Sequence, residues 1–108
     1  MTKIVYINGE RRQILDVNGH TGMLINNKDV GCIAVSTLTS SIVASMQLED
    51  SKGNLDSCHI SIKDGSIRLD ISPIEYEVQR IKGMFDVIVL GYRLLAEHYP
   101  QYVVFKDR

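Results

Sequence analysis

A cysteine at position 32 stands three residues after an aspartate, and this is the first spacing along the chain with chemical consequences. Asp29, placed before the run Val30-Gly31-Cys32-Ile33-Ala34, reads as a helix N-cap. A carboxylate there can accept the backbone N–H groups that a helix start leaves unpaired. Cys32 then occupies the third helical position, where those donors and the positive end of the helix dipole favour a thiolate over a thiol. A thiol nucleophile also needs a base. His20 begins the loop whose other end is the Cys32 helix, so the loop's return can bring imidazole and thiol together. Cysteine, histidine and a nearby carboxylate form the minimal set for a nucleophile, its general base and an orienting or stabilising anion. Ser36 lies one helical turn past Cys32 on the same face; it either lines the same site or bonds back to the carbonyl four residues earlier. The plain alternative for Cys32 is a packed thiol, since cysteine is among the residue types most often buried.

Other residues point away from chemistry. Cys58 alternates with Ile60 and Ile62, which assigns it to the apolar face of a strand, with His59 facing the other way; the two are not a chelating pair. No Cys-x-x-Cys, His-x-x-x-His or acidic calcium-loop spacing occurs, so no metal is expected. Neither a glycine-rich phosphate loop nor Gly-x-Ser-x-Gly is present, and His98 falls in the last turn of a helix, where a cation is favourable. With 12 Lys and Arg against 13 Asp and Glu, and Arg11-Arg12 as the single basic pair, the chain lacks the clustered charge that drives nucleic-acid binding. The apolar run at residues 4–7 is too short for a signal-peptide core, and Asp86 and Arg93 interrupt the dense apolar stretch 84–96, short of the about 20 residues a bilayer requires. The expectation is a cytoplasmic protein with no membrane partner and with reduced cysteines.

The elements that must position these residues follow from periodicity. The 108 residues contain no repeat, linker or low-complexity stretch and read as one domain, 1–108. Residues 3–7 and 13–17 flank Asn8-Gly9 and predict a hairpin closed by a tight turn with positive φ. Residues 19–28 show no period and are drawn as a loop. Beyond Asp29, the positions Ala34, Val35, Leu38, Ile42, Val43 and Met46 recur at helical spacing to about residues 47–49. The alternating runs on either side of Asp64-Gly65 predict a second hairpin with one wet face. Ser72-Pro73-Ile74-Glu75 predicts a capped helix start, and the stripe Ile74, Val78, Ile81, Phe85, Ile88, Tyr92, Leu95 and Tyr99 carries that helix to Pro100. Residues 102–106 form a last strand. The order β-β-α-β-β-α-β predicts an α+β two-layer sandwich, with two helices packed on one face of a mainly antiparallel sheet. A second stripe on the long helix, Met84, Val87, Leu90 and Leu94, is more than one sheet can cover and suggests self-association.

Taken together, the residues resemble a family. Gly19-His20, eight intervening residues, and then Asp29-Val30-Gly31-Cys32-Ile33-Ala34-Val35-Ser36 are similar to the motif of the bacterial ribosomal-processing cysteine proteases, the Prp family. That motif is Gly-His, a glycine-containing loop, and Asp-(Ile/Val)-x-Cys-x-Ala-x-Ser at a helix start. The resemblance extends over the whole chain, to the long second helix ending in Glu97-His98-Tyr99-Pro100. It implies that Cys32 is the nucleophile, His20 its base and later acid, and Asp29 and Ser36 supporting residues, with no cofactor. The implied substrate is the precursor of large-subunit ribosomal protein number twenty-seven, whose short N-terminal extension is removed. Thr21, Gly22, Met23, Leu24 and Ile25 would belong to a lid whose apolar members grip the peptide, and N–H groups at the helix start would hold the oxyanion. The resemblance also implies a homodimer. Two positions depart from the family's habit: Thr21 stands where alanine is common, and Gly31 where a bulky residue is. Glycine in a helix costs up to about 1 kcal/mol relative to alanine. The alternatives are a non-catalytic ribosome-assembly or protein-binding module with a structural Cys32, and a thiol hydrolase of small acyl compounds.

Overall fold

Strict alternation of side chains builds the sheet, and three-and-four spacing builds what covers it. The computed structural model describes all 108 residues. In chain order the elements are β1 (Thr2–Asn8), β2 (Gln13–Asn18), a minimal pair β3 (Leu24–Ile25) and β4 (Lys28–Asp29), helix α1 (Val30–Ser51), β5 (Leu55–Lys63), β6 (Ser66–Pro73), helix α2 (Val78–His98) and β7 (Val103–Asp107). Five strands form one sheet in the order β5-β6-β2-β1-β7, antiparallel throughout except for the parallel pair β1 and β7. Ile4, Tyr6, Leu15, Val17, Leu69 and Ile71 face the helices and are buried. The opposite face carries ion pairs: Arg68 bonds Asp16 across the β2–β6 register at 2.6 Å, and Arg12 clasps Asp70 with two bonds of 2.9 and 2.7 Å. The α+β sandwich with both helices on one face is therefore the observed architecture.

Two local expectations fail for identifiable reasons. Residues 9–12 form a four-residue connection between β1 and β2, closed by the Gly9 N–H on the Arg12 carbonyl at 2.8 Å, instead of a two-residue turn. Gly9 does not adopt positive φ; what it supplies is space, because a Cβ there would stand 2.8 Å from that same carbonyl. The second concerns the start of α2. Ser72 and Pro73 do not cap it: Pro73 still pairs opposite Leu55, residues Glu75–Glu77 form a single 3-10 turn, and the α-helix begins at Val78 without a side-chain cap bond. A residue before proline is driven toward extended backbone, and pairing with β5 uses that preference.

The helices meet over the sheet. Val35, Ile42, Val43 and Met46 of α1 are buried as their spacing predicts, and Phe85 of α2 stacks on Tyr6 of β1 with ring centres 5.6 Å apart. Thr39 joins the buried stripe although it is polar; its hydroxyl bonds the Tyr92 hydroxyl at 2.6 Å and the Val35 carbonyl at 2.7 Å, which removes the cost of burying it. At the far end of α1 the buried Glu49 carboxylate is held by Arg80 of α2 and by Asn54 at 3.0 Å. By length and hydropathy α1, not the stretch 84–96, is the helix that could span a bilayer, yet its apolar stripe lies in this core and Thr37, Ser40 and Ser41 face outward.

Candidate active site

The site is assembled where α1 begins. Residues 19–28, expected as an irregular loop, contain the β3–β4 hairpin, whose connecting Asn26 and Asn27 both adopt left-handed backbone (φ 53° and 63°). Asparagine tolerates that region because its short side chain can bond locally. The hairpin delivers the chain to the helix: the Val30 N–H donates to the Met23 carbonyl at 3.0 Å, and Asp29 follows as N-cap. Leu24 and Ile25 are exposed on the hairpin, 65% and 55% accessible, and Met23 is half-buried. Of the apolar residues assigned to a lid, Leu24 and Ile25 stand in solvent and Met23 only in part.

Asp29 is the hub of the arrangement. Its Oδ1 accepts the Cys32 N–H at 2.9 Å and the Thr21 hydroxyl; its Oδ2 accepts the Gly22 N–H at 2.9 Å and the Cys32 thiol at 3.2 Å. Partial burial works to raise its pKa, but the bonds from Thr21, Cys32 and Gly22 outweigh it and hold the carboxyl well below the usual carboxylate range. His20 is not among its partners, so Asp29 caps the helix and faces the thiol instead of orienting the imidazole. The Cys32 amide is committed to Asp29 and the Val30 amide to Met23, which takes both out of consideration as oxyanion donors.

His20 reaches the sulfur from the other side. Gly19 turns the chain out of β2 at φ +93°, and its N–H donates to the Gly65 carbonyl at 2.8 Å. The imidazole Nδ1 then lies 3.7 Å from Cys32 Sγ, and the Thr21 N–H donates to the same sulfur at 3.3 Å. A cleft of about 260 Å³ opens beside them, lined by Val17, His20, Cys32, Ser36, Ile62 and Ile67. Ser36 is exposed there; Thr37 and Ser41 bond back to carbonyls one turn earlier, but Ser36 does not.

Sequence reasoning missed the far wall of this cleft. The β5–β6 turn packs against the imidazole, and a Cβ on Gly65 would stand 3.4 Å from His20 Nε2. Ile62, assigned by alternation to the buried face, projects from this hairpin tip with 64% of its surface exposed. Only the pairing of β2 with β6 brings the tip there, and no local pattern encodes it. Thr21 was read as a lid residue but is buried, 3% exposed. Cys58 sits half-buried on β5, where burial and the nearby Asp50 raise its thiol pKa. No three His, Cys, Asp or Glu side chains converge as a metal site.

Comparison with known proteins bears on the family and the fold. The family model described as cysteine protease Prp matches residues 1–104. No curated protein sequence matches the chain significantly. Among solved structures, the ribosomal processing protease Prp from S. aureus, in complex with a covalently linked product peptide, superposes with a TM-score of 0.74 at 12% identity, covering 100% of both chains. The same protease in complex with a substrate peptide gives 0.72, again at 12% identity and full coverage. A protein from Streptococcus mutans gives 0.70 at 22% identity, covering 99% of this chain and 96% of the other. A family match over nearly the whole length, on a chain whose His-loop-Asp-x-x-Cys segment folds into one site, places this protein in the Prp family of cysteine proteases.

Proposed function

We propose that this cysteine protease removes the N-terminal extension of a large-subunit ribosomal protein precursor, number twenty-seven, with Cys32 as nucleophile and His20 as its base. The observation that carries the assignment of roles is the approach of Cys32 Sγ to His20 Nδ1 at 3.7 Å on the wall of an open cleft. With its own proton on Nε2, the imidazole accepts the thiol proton at Nδ1. The thiolate attacks the scissile carbonyl carbon. Collapse of the tetrahedral species breaks the C–N bond as His20 returns the proton to the leaving amine, which leaves a thioester on Cys32. Water, deprotonated by His20, then attacks the thioester, and the acid product leaves with the thiol restored. The S. aureus relatives, solved with a covalently linked product peptide and with a substrate peptide, support a peptide in this cleft. Exposed Ile62 offers apolar contact in the cleft, and Leu24 and Ile25 are exposed on the hairpin that leads to the Cys32 helix.

Val87, Leu90 and Leu94 on α2 are exposed, 70%, 58% and 47%, with Met84 half-buried beside them. This stripe supports a homodimer, and a cytoplasmic location fits a substrate made there. The test is incubation of the protein with a peptide spanning the extension, beside Cys32→Ala, read by mass spectrometry. Cleavage at one bond by the parent protein alone is expected. No cleavage by folded, reduced protein would overturn the substrate assignment.

A further inference from the structure

We propose that Thr21 is a positioning residue of this active site, holding the Asp29 carboxylate and the Cys32 sulfur in register, and that Gly31 is required because it admits Thr21. The inference rests on the reading of Cys32 as nucleophile and His20 as base, and adds a residue pair to it. Thr21 makes three bonds, all into the site. Its N–H donates to Cys32 Sγ at 3.3 Å, its hydroxyl donates to Asp29, and the hydroxyl oxygen accepts the Met23 N–H at 3.3 Å. An ionised carboxylate only accepts, so the direction of the hydroxyl proton is settled. The hydroxyl thus links the lid backbone at Met23 to the carboxylate at the helix start.

The consequence for the chemistry follows from the lone pairs of Asp29. Four donors occupy the two oxygens: the Thr21 hydroxyl, the Gly22 and Cys32 N–H groups, and the thiol. Two bases therefore face the thiol proton, Asp29 Oδ2 at 3.2 Å and His20 Nδ1 at 3.7 Å, and the nearer one is the unwanted acceptor. Each donor on Asp29 makes it a weaker base, and so directs the proton to His20. Without the Thr21 hydroxyl the carboxylate loses one of its four donors and one of the contacts that hold its orientation.

Gly31 bears on the same contact. It lies within α1 at ordinary helical backbone, so conformational freedom does not explain it. Space does. A Cβ on Gly31 would overlap the Thr21 hydroxyl and stand 2.8 Å from Thr21 Cβ and 2.9 Å from Thr21 Cγ2. The two positions are thus sterically paired in this chain: the side chain absent at 31 is the room occupied at 21.

The test compares Thr21→Ala, Thr21→Ser, Gly31→Ala and the double variant Thr21→Ala/Gly31→Ala. The readout is the rate of Cys32 alkylation by iodoacetamide against pH, with kcat and KM for a cleaved peptide alongside. Alkylation needs no peptide substrate, so a wrong substrate assignment and a wrong role for Thr21 give different results. Thr21→Ala is expected to lower kcat about tenfold with KM little changed and to shift the pH profile of alkylation, while Thr21→Ser keeps the parent profile. Gly31→Ala is expected to cost about tenfold alone and distinctly less in the Thr21→Ala background, where only the Cβ contact remains. Circular dichroism confirms folding; if Gly31→Ala fails to fold, the Thr21 pair alone decides. A parent-like pH profile and kcat in Thr21→Ala would overturn the proposal, and so would equal Gly31→Ala costs in both backgrounds.

Discussion

Cys32 and Cys58 are both free and both half-buried, yet their surroundings differ in every respect that matters to reactivity. Cys32 lies at a helix start, with a histidine nitrogen, a carboxylate and a backbone N–H all directed at its sulfur. Cys58 lies in the middle of an edge strand, where burial and Asp50 disfavour its thiolate. Degree of burial therefore does not distinguish the two thiols. What distinguishes them is the set of groups brought to the sulfur: Cys32 meets the His20 imidazole, the Asp29 carboxylate and the Thr21 N–H, whereas a strand's N–H groups are spent on its neighbour or point away from the side chain.

The comparison can be broken most decisively by removing each sulfur. Cys32→Ala is expected to lower kcat/KM for peptide cleavage by at least about a thousandfold, and Cys58→Ala to leave it within about twofold. Equal losses would show that position, as read here, does not govern the chemistry. The next largest effect belongs to the base. His20→Ala should slow alkylation of Cys32 at neutral pH by about a hundredfold, the low end for general-base removal, without changing the rate at Cys58. Peptide mapping after timed iodoacetamide treatment measures both rates in one sample. A pH series sharpens the contrast further. The pKa of Cys58 is raised above its ordinary 9.0, so its alkylation should stay slow through neutral pH and rise only in solutions more alkaline than that.

The smallest effects are on stability and compare the two ends of α1. Asp29→Ala removes a side-chain cap and should cost about 1 kcal/mol in urea unfolding. At the other end, bonds from Arg80 and Asn54, opposed by burial, lower the pKa of Glu49 to about 2 from an unfolded value of 4.5. A depressed carboxylate contributes stability that is present above the unfolded pKa and lost as pH falls through the folded one. Unfolding free energy should therefore decline from about pH 4.5 toward pH 2, and Glu49→Gln should flatten that decline while leaving Cys32 alkylation at neutral pH unchanged. An unaltered acid slope in Glu49→Gln would assign it to other carboxylates.

Much of this was legible in residue order because it depends on local geometry. The cap at Asp29, the third helical position of Cys32 and the face shared with Ser36 are fixed by backbone spacing within a few residues, and each stands where it was read. The same held for the strand alternation that buries Leu69 and Ile71. Where local rules competed with long-range pairing, pairing prevailed. Ser72-Pro73 has the composition of a helix start and instead completes β6, because β5 offers hydrogen bonds to an already extended segment. Ile62 follows the alternation of a buried residue but lies at a hairpin tip, where it lines the cleft and stays exposed.

By itself, then, the sequence determined which residue could be a nucleophile, which could be its base, and that a helix start would carry the first and a returning loop the second. Tertiary structure alone decided that the imidazole Nδ1 reaches the sulfur, that Asp29 faces the thiol and not the histidine, and that the β5–β6 turn closes the cleft behind His20. It also decided that Thr21 is buried against Gly31. The physical reason is range. Caps, turns and helical faces are set by bonds between residues a few positions apart, whereas the Gly65 carbonyl that holds Gly19 lies far along the chain, and nothing in the local pattern of either segment specifies that contact.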